Sequence, residues 1–137
     1  MNSAKRQDPR TLLIKAAEDE ATLQIDGISD SILGFHAQQA VEKLMKALLS
    51  QLGVPYELTH ALGRLQALLK ANGEVLPSTT LELSDLNDFA VNYRYDLLFQ
   101  VTPPDRNDLI ETVRIIREHV TARIAALSTA PDSPPLQ

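Results

Sequence analysis

Four polar residues with chemically useful side chains recur at helical spacing in the segment FHAQQAVEKLMKALL, residues 35–49. His36, Gln39, Lys43 and Lys46 lie at offsets 0, 3, 7 and 10, which places them on one strip of a helix roughly 80° wide. The neighbouring strip is apolar and comprises Leu33, Ala37, Ala40, Leu44, Ala47 and Leu48. A polar strip beside a buried face typically lines a groove or an interface, where ammonium groups suit the binding of phosphate. We call these four residues the polar stripe.

A structural interpretation of the polar stripe fits the spacing equally well. Lys43 and Lys46 would be solvated lysines whose aliphatic stems cover apolar surface, and His36 would be a capped or partly buried histidine. Spacing alone does not distinguish the two interpretations.

The segment that contains the polar stripe is one of several motifs that occur in a recognisable order. It is followed by Gly53-Val54-Pro55, by Thr59-His60-Ala61-Leu62 and, further on, by Asn92-Tyr93-Arg94-Tyr95-Asp96. Together these motifs resemble the HEPN family, the higher eukaryote and prokaryote nucleotide-binding domain, over roughly residues 9–127. The resemblance implies a helical homodimer with a polar groove near its interface that binds or acts on nucleotides and RNA. It also implies a minimal nucleotidyltransferase partner in a two-component, toxin–antitoxin-like module.

Three more residues are candidates for a nucleotide or RNA site by their chemistry and position. His60 at the start of the third predicted helix would face the groove, and Arg94 would offer a planar guanidinium to phosphate while Tyr95 stacks on a base. The structural alternatives are a local cap for His60 and, for Arg94, an ion pair with Asp96 or with an acid of the first helix. The sequence does not decide whether Tyr95 is a target for modification by the partner.

Ribonuclease members of the family carry an arginine, four to six intervening residues and a histidine. The positions after Arg94 that should hold the histidine are occupied by Phe99, Gln100 and Val101. A literal match is found only later, from Arg114 to His119, where a helix would separate the two side chains by about 140°. That match therefore favours an ordinary charged helix face with surface ion pairs.

These observations favour binding over catalysis as the function. A metal-independent endoribonuclease toxin that uses Arg114 and His119, brought together across a dimer interface, is the alternative, and a structural helical adaptor is a second. No cofactor is expected, because glycine-rich phosphate loops are absent. No metal site is expected either, because the chain has no cysteine and its three histidines form no helical ligand pair. The net charge of -5 argues against a protein that coats nucleic acid by bulk electrostatics.

The polar stripe would be positioned by an all-α fold. Asp8 and Pro9 predict the start of a first helix from Arg10 to about Ile25. Ser29 or Asp30 starts a second helix, which runs to Leu52 and ends at Gly53. Thr59 is expected to cap a third helix that the pair Asn72-Gly73 terminates.

Two more helices complete the prediction. Pro77 and the hydroxyl groups that follow it open a fourth helix, which ends near Asn92. Thr102 or Asp105 starts a last helix that ends near Leu127, with an apolar stripe formed by Leu109, Val113, Ile116, Val120 and Ile124. Short connections between amphipathic helices predict an up-and-down antiparallel bundle of four to five helices.

Residues 1–127 are predicted to form one domain, and the proline- and serine-rich residues 128–137 a disordered tail. No apolar run is long enough for a membrane span and no signal peptide is evident. We therefore expect a cytoplasmic protein without a membrane partner.

Overall fold

The computed structural model describes residues 7–92 and 105–129, with side chains given as far as residue 87 in the fourth helix. Within these ranges the chain forms five helices and no strand. They are α1 (Pro9–Thr22), α2 (Asp30–Leu52), α3 (Leu62–Ala71), α4 (Leu83–Asn92) and α5 (Arg106–Thr129). The prediction of an all-α helical bundle is confirmed. None of the helices in these ranges is both long and apolar enough to cross a membrane.

The ends of α2 and the start of α1 follow the predicted local signals. The Asp8 carboxylate accepts a hydrogen bond from the backbone N–H of Arg10 at 2.9 Å, and Pro9 is the first helical residue. Ser29 caps α2, and Gly53 ends it with φ of 73°, a left-handed conformation that glycine adopts without a steric penalty. The end of α1 differs, because the chain tightens into turns after Thr22 instead of continuing to Ile25.

The predicted start of α3 is wrong. Thr59 does not cap it, because its hydroxyl group accepts from the N–H of Ala61 in a local turn, and the helix begins at Leu62. The free N–H of Leu62 donates instead to the side-chain oxygen of Asn87 in α4, at 3.0 Å. A cap supplied by another helix leaves no local signal in the sequence.

The predicted start of α4 is also too early. Residues 77–82 are not helical, and α4 begins at Leu83. The N–H of Leu81 donates to the hydroxyl group of Thr112, a buried residue of α5, at 3.0 Å. The N–H of Leu81 therefore has a partner although it does not lie in a helical turn. At the other end of the chain α5 continues to Thr129, past the predicted boundary near Leu127.

The core surrounds α2, which packs against each of the other four helices. Most of its apolar positions are buried, as are Leu109, Val113, Ile116 and Val120 of α5, while Ile124 is partly buried at the edge. Each fully buried leucine or isoleucine contributes about 1.5–3 kcal/mol relative to exposure. Because neighbours enclose α2, its polar residues must find partners inside the protein as well.

Candidate functional site

The polar stripe lies on the most enclosed helix of the bundle. Lys46 is only 9% exposed, and His36, Gln39 and Lys43 are half-buried. The interpretation of Lys46 as a solvated lysine is therefore wrong. Each charged group of the stripe needs a counter-charge, and two buried carboxylates supply it.

The first carboxylate is that of Asp19, a buried residue of α1. One of its oxygens lies 2.8 Å from Nδ1 of His36, and the other accepts from Nζ of Lys43 at 2.6 Å. The imidazole of His36 also packs edge-on against the ring of Phe35, with centroids 5.3 Å apart. Asp19 thus joins two members of the polar stripe across the interface between α1 and α2.

The second carboxylate is that of Glu42, which lies on α2 itself and is also buried. It accepts from Nζ of Lys46 at 2.8 Å, and Nδ1 of His60 lies 3.0 Å from one of its oxygens. The ammonium group of Lys46 sits 5.8 Å from the centre of the Tyr56 ring, within the range of a cation–π contact. The two sets have the same composition, one carboxylate with one lysine and one histidine, and we call them the Asp19 triad and the Glu42 triad.

Two glutamine side chains extend the Glu42 triad along α2. The Gln38 amide donates to Glu42 and to the backbone carbonyl of His60, both at 3.1 Å. Gln39 donates to the side-chain oxygen of Gln38 at 2.9 Å. The network therefore connects Gln39 of the polar stripe to the segment that carries His60.

The hydrogen bonds define the chemistry of both histidines. A carboxylate is an acceptor only, so Nδ1 of His36 and of His60 carries the proton, and in the neutral ring Nε2 keeps its lone pair. Among the described residues, none bonds either Nε2. The His60 side chain is 80% exposed and that of His36 30% exposed. Each ring can accept a hydrogen bond from a ligand hydroxyl or amine, or donate one to a phosphate when it is protonated.

The charges of the two triads are balanced. Two carboxylates face two ammonium groups, and both lysines are already bonded to their carboxylates at 2.8 Å or less. A phosphate that contacted Lys43 or Lys46 would have to compete with a buried carboxylate. The expectation that these lysines bind phosphate directly is not supported by this geometry, whereas the Nε2 atoms of both histidines have no partner among the described residues.

Sequence reasoning missed Asp19, Glu42 and Gln38. Glu42 had a usable signal, because it precedes Lys46 by four residues, the spacing of an ion pair on one helix face. Asp19 had a weaker one: it lies on the same face of α1 as the buried Leu12 and Ala16, where an acid is out of place. Neither signal shows which histidine each acid holds.

The remaining predicted residues lie elsewhere. Arg94 and Tyr95 fall outside the described residues. Arg114 forms ion pairs with Glu111 and Glu118 of its own helix, and these bonds raise the pKa of its guanidinium group. Within one chain, Arg114 and His119 are not brought together at one site.

His119 lies instead beside the pair formed by Glu74 and Arg123. Its Nε2 atom is buried and has no hydrogen-bond partner among the described residues. Glu74 accepts two hydrogen bonds from Arg123, at 3.0 and 2.9 Å. These bonds lower the pKa of Glu74 against the opposing effect of its burial, and the charge of His119 lowers it further. No group of three or more potential metal ligands occurs in the part of the chain that the structure describes.

Comparison with known protein families agrees with the resemblance seen in the motifs. The HEPN domain model matches residues 13–123, from α1 into α5, and this range includes both triads and the segment of Arg94. Comparisons with curated proteins and with solved structures gave no match. Since the match covers most of the sequence and the described fold is an all-helical bundle, the chain belongs to the HEPN family.

Proposed function

We propose that this HEPN protein binds a nucleotide or an RNA segment through His36, Gln39 and His60, which we call together the histidine surface. Membership of the HEPN family supports a nucleotide- or RNA-related function in general. The geometry of the two triads indicates which residues would make the contacts.

One observation carries the proposal. Glu42 is buried, yet it holds an imidazole that is 80% exposed. A buried carboxylate is costly to desolvate, and an ion pair in that position contributes little to net stability compared with apolar residues of similar size. The arrangement is easier to understand if its purpose is to fix the tautomer and the direction of His60. A ring fixed in this way loses less conformational entropy when it binds a ligand.

The two lysines have a different role in this proposal from the one expected from the sequence. Lys43 and Lys46 are bonded to Asp19 and Glu42, and each carboxylate in turn holds its histidine in place. Contacts with phosphate would then come from protonated histidine and from Arg94, which lies outside the described residues. Tyr95 beside it would stack on a base.

The proposal extends to the assembly in which the protein works. The family resemblance implies a homodimer and a minimal nucleotidyltransferase partner in a two-component, toxin–antitoxin-like module. Light scattering coupled to gel filtration tests the dimer, and co-purification with a nucleotidyltransferase encoded next to the gene tests the partner. A monomer with no such neighbour would contradict this part of the proposal.

The histidine surface is tested by binding. Fluorescence anisotropy with labelled tRNA and thermal shift with common nucleotides measure affinity for the wild type and for His60→Ala, Gln39→Ala and Gln66→Ala. Gln66 is an exposed residue of α3 without a bond to either triad, so it serves as the control. Loss of one hydrogen bond to a charged group lowers affinity by about 10- to 100-fold, which is the effect expected for His60→Ala. Wild-type affinity in His60→Ala, or no binding to any of these ligands, would contradict the proposal.

A further inference from the structure

A cavity of about 300 Å³ lies between the segment before α3 and the first turns of α3. Its apolar walls come from Pro55, Tyr56, Leu65 and Leu68, and Glu57 and Arg64 lie at its polar side. A volume of this size is at the lower end of the range for small-molecule sites and suits one ring system. The cavity does not belong to the histidine surface, but it shares Tyr56 with the environment of Lys46.

The charged pair at this cavity is easily exchanged. Arg64 and Glu57 are 2.8 Å apart, but their side chains are 70% and 67% exposed. A solvated ion pair of this kind contributes little to stability, so an incoming anion can replace Glu57 at the guanidinium group with a small loss. Arginine can bind phosphate through two parallel hydrogen bonds. The contact between Arg64 and Glu57 uses only one nitrogen of the guanidinium group.

A second cavity gives a useful contrast. It has a volume of about 280 Å³ and lies against Gly63 and Gln66 on the opposite face of α3. No lysine, arginine or histidine lines it, and Glu82 does. Of these two cavities, only the one at Arg64 combines apolar walls with a cation that an anionic ligand can reach.

We infer that the cavity at Arg64 binds a free nucleoside monophosphate, with the base against Pro55 and Leu68 and the phosphate on Arg64. This inference rests on the proposed function, since it names a ligand class and a second contact region for the same nucleotide-binding protein. The flat base matches a small apolar cavity, and one guanidinium group matches one phosphate.

The test measures the affinity of the full chain for AMP and for adenosine by calorimetry. Arg64→Ala is expected to weaken AMP binding at least tenfold and to leave adenosine binding unchanged. Glu57→Gln removes the competing carboxylate and should strengthen AMP binding several-fold. Leu68→Phe fills the cavity and should weaken both ligands at least fivefold, whereas Lys70→Ala, an exposed cation of the same helix outside the cavity, should change neither.

The outcomes separate this inference from the proposed function. If AMP binds but its affinity is unchanged in both Arg64→Ala and Glu57→Gln, the cavity assignment is wrong. The same holds if RNA binds with sensitivity to His60→Ala while AMP does not bind. If neither AMP, other nucleotides nor RNA binds, the proposed function fails and the inference fails with it. Because Arg64 and Glu57 are exposed, their variants should fold, and a wild-type circular dichroism spectrum verifies this.

Discussion

Replacing Lys46 by methionine removes the ammonium group that faces Glu42 and keeps a side chain of similar length. The side chains of Lys46 and Glu42 are 11% and 4% exposed, so little water can replace the lost charge. Removal of one partner from a buried ion pair costs about 3–5 kcal/mol. Glu42 retains its bonds to Gln38 and His60, so we expect a loss near the lower limit, about 3 kcal/mol.

Equilibrium unfolding in urea measures this loss. With a denaturant slope of about 2 kcal/mol/M, the midpoint of Lys46→Met should fall by about 1.5 M at unchanged slope. Lys43→Met should cost less, about 1–2 kcal/mol, because the Lys43 side chain is more exposed and Asp19 keeps His36. Arg64→Met, which removes a solvated ion pair, should cost at most about 1 kcal/mol.

A second substitution tests the cause of the loss. Glu42→Gln in the Lys46→Met background removes the uncompensated charge and keeps an oxygen that accepts from His60. It should therefore recover more than half of the lost stability. A cost for Lys46→Met no larger than that for Arg64→Met, or no recovery in the double variant, would refute the electrostatic argument.

Three further predictions follow from the described residues. The bonds from Arg123 lower the pKa of Glu74 below its ordinary value of 4.5. The pair therefore stabilises the folded protein fully at a pH above 4.5, and this stabilisation is lost as the pH falls below that value. In Arg123→Met the unfolding free energy should no longer show this decrease between about pH 5 and pH 3. The same dependence on pH in the variant and the wild type would contradict the prediction. Gly53→Ala should destabilise the protein by about 1 kcal/mol, because the φ of 73° at this position is unfavourable for alanine. Gly63→Ala should instead stabilise α3 by a few tenths to about 1 kcal/mol, because the new Cβ meets no atom within 4 Å and alanine favours a helix more than glycine does. Thermal unfolding of the two variants measures these shifts, and equal signs would be inconsistent with the backbone argument. Incubation with tRNA without metal should show no cleavage that depends on His119, because its Nε2 is buried; cleavage by the wild type that disappears in His119→Ala would restore the ribonuclease alternative.

The sequence by itself determined the family and the elements whose ends are set locally. Asp8, Ser29 and Gly53 act on backbone groups within a few residues, so the start of α1 and both ends of α2 could be predicted from the amino-acid types alone. The rotation of about 100° per residue likewise placed the polar stripe on one face of α2. These features depend on contacts between residues close together in the chain.

The tertiary structure decided which partners the polar stripe has. Asp19 is 17 positions from His36 and 24 from Lys43, and His60 is 18 positions from Glu42, so only the packing of α1 and of the segment before α3 against α2 creates the two triads. The same packing explains why α3 and α4 begin later than predicted. Asn87 of α4 accepts from the N–H of Leu62, and Thr112 of α5 accepts from the N–H of Leu81. Burial also gave Lys43 and Lys46 a contact that residue type alone did not predict, because each bonds to a buried carboxylate. In a low-dielectric interior a lysine bonds to the nearest carboxylate, and in our proposal the histidines are the groups that contact a ligand.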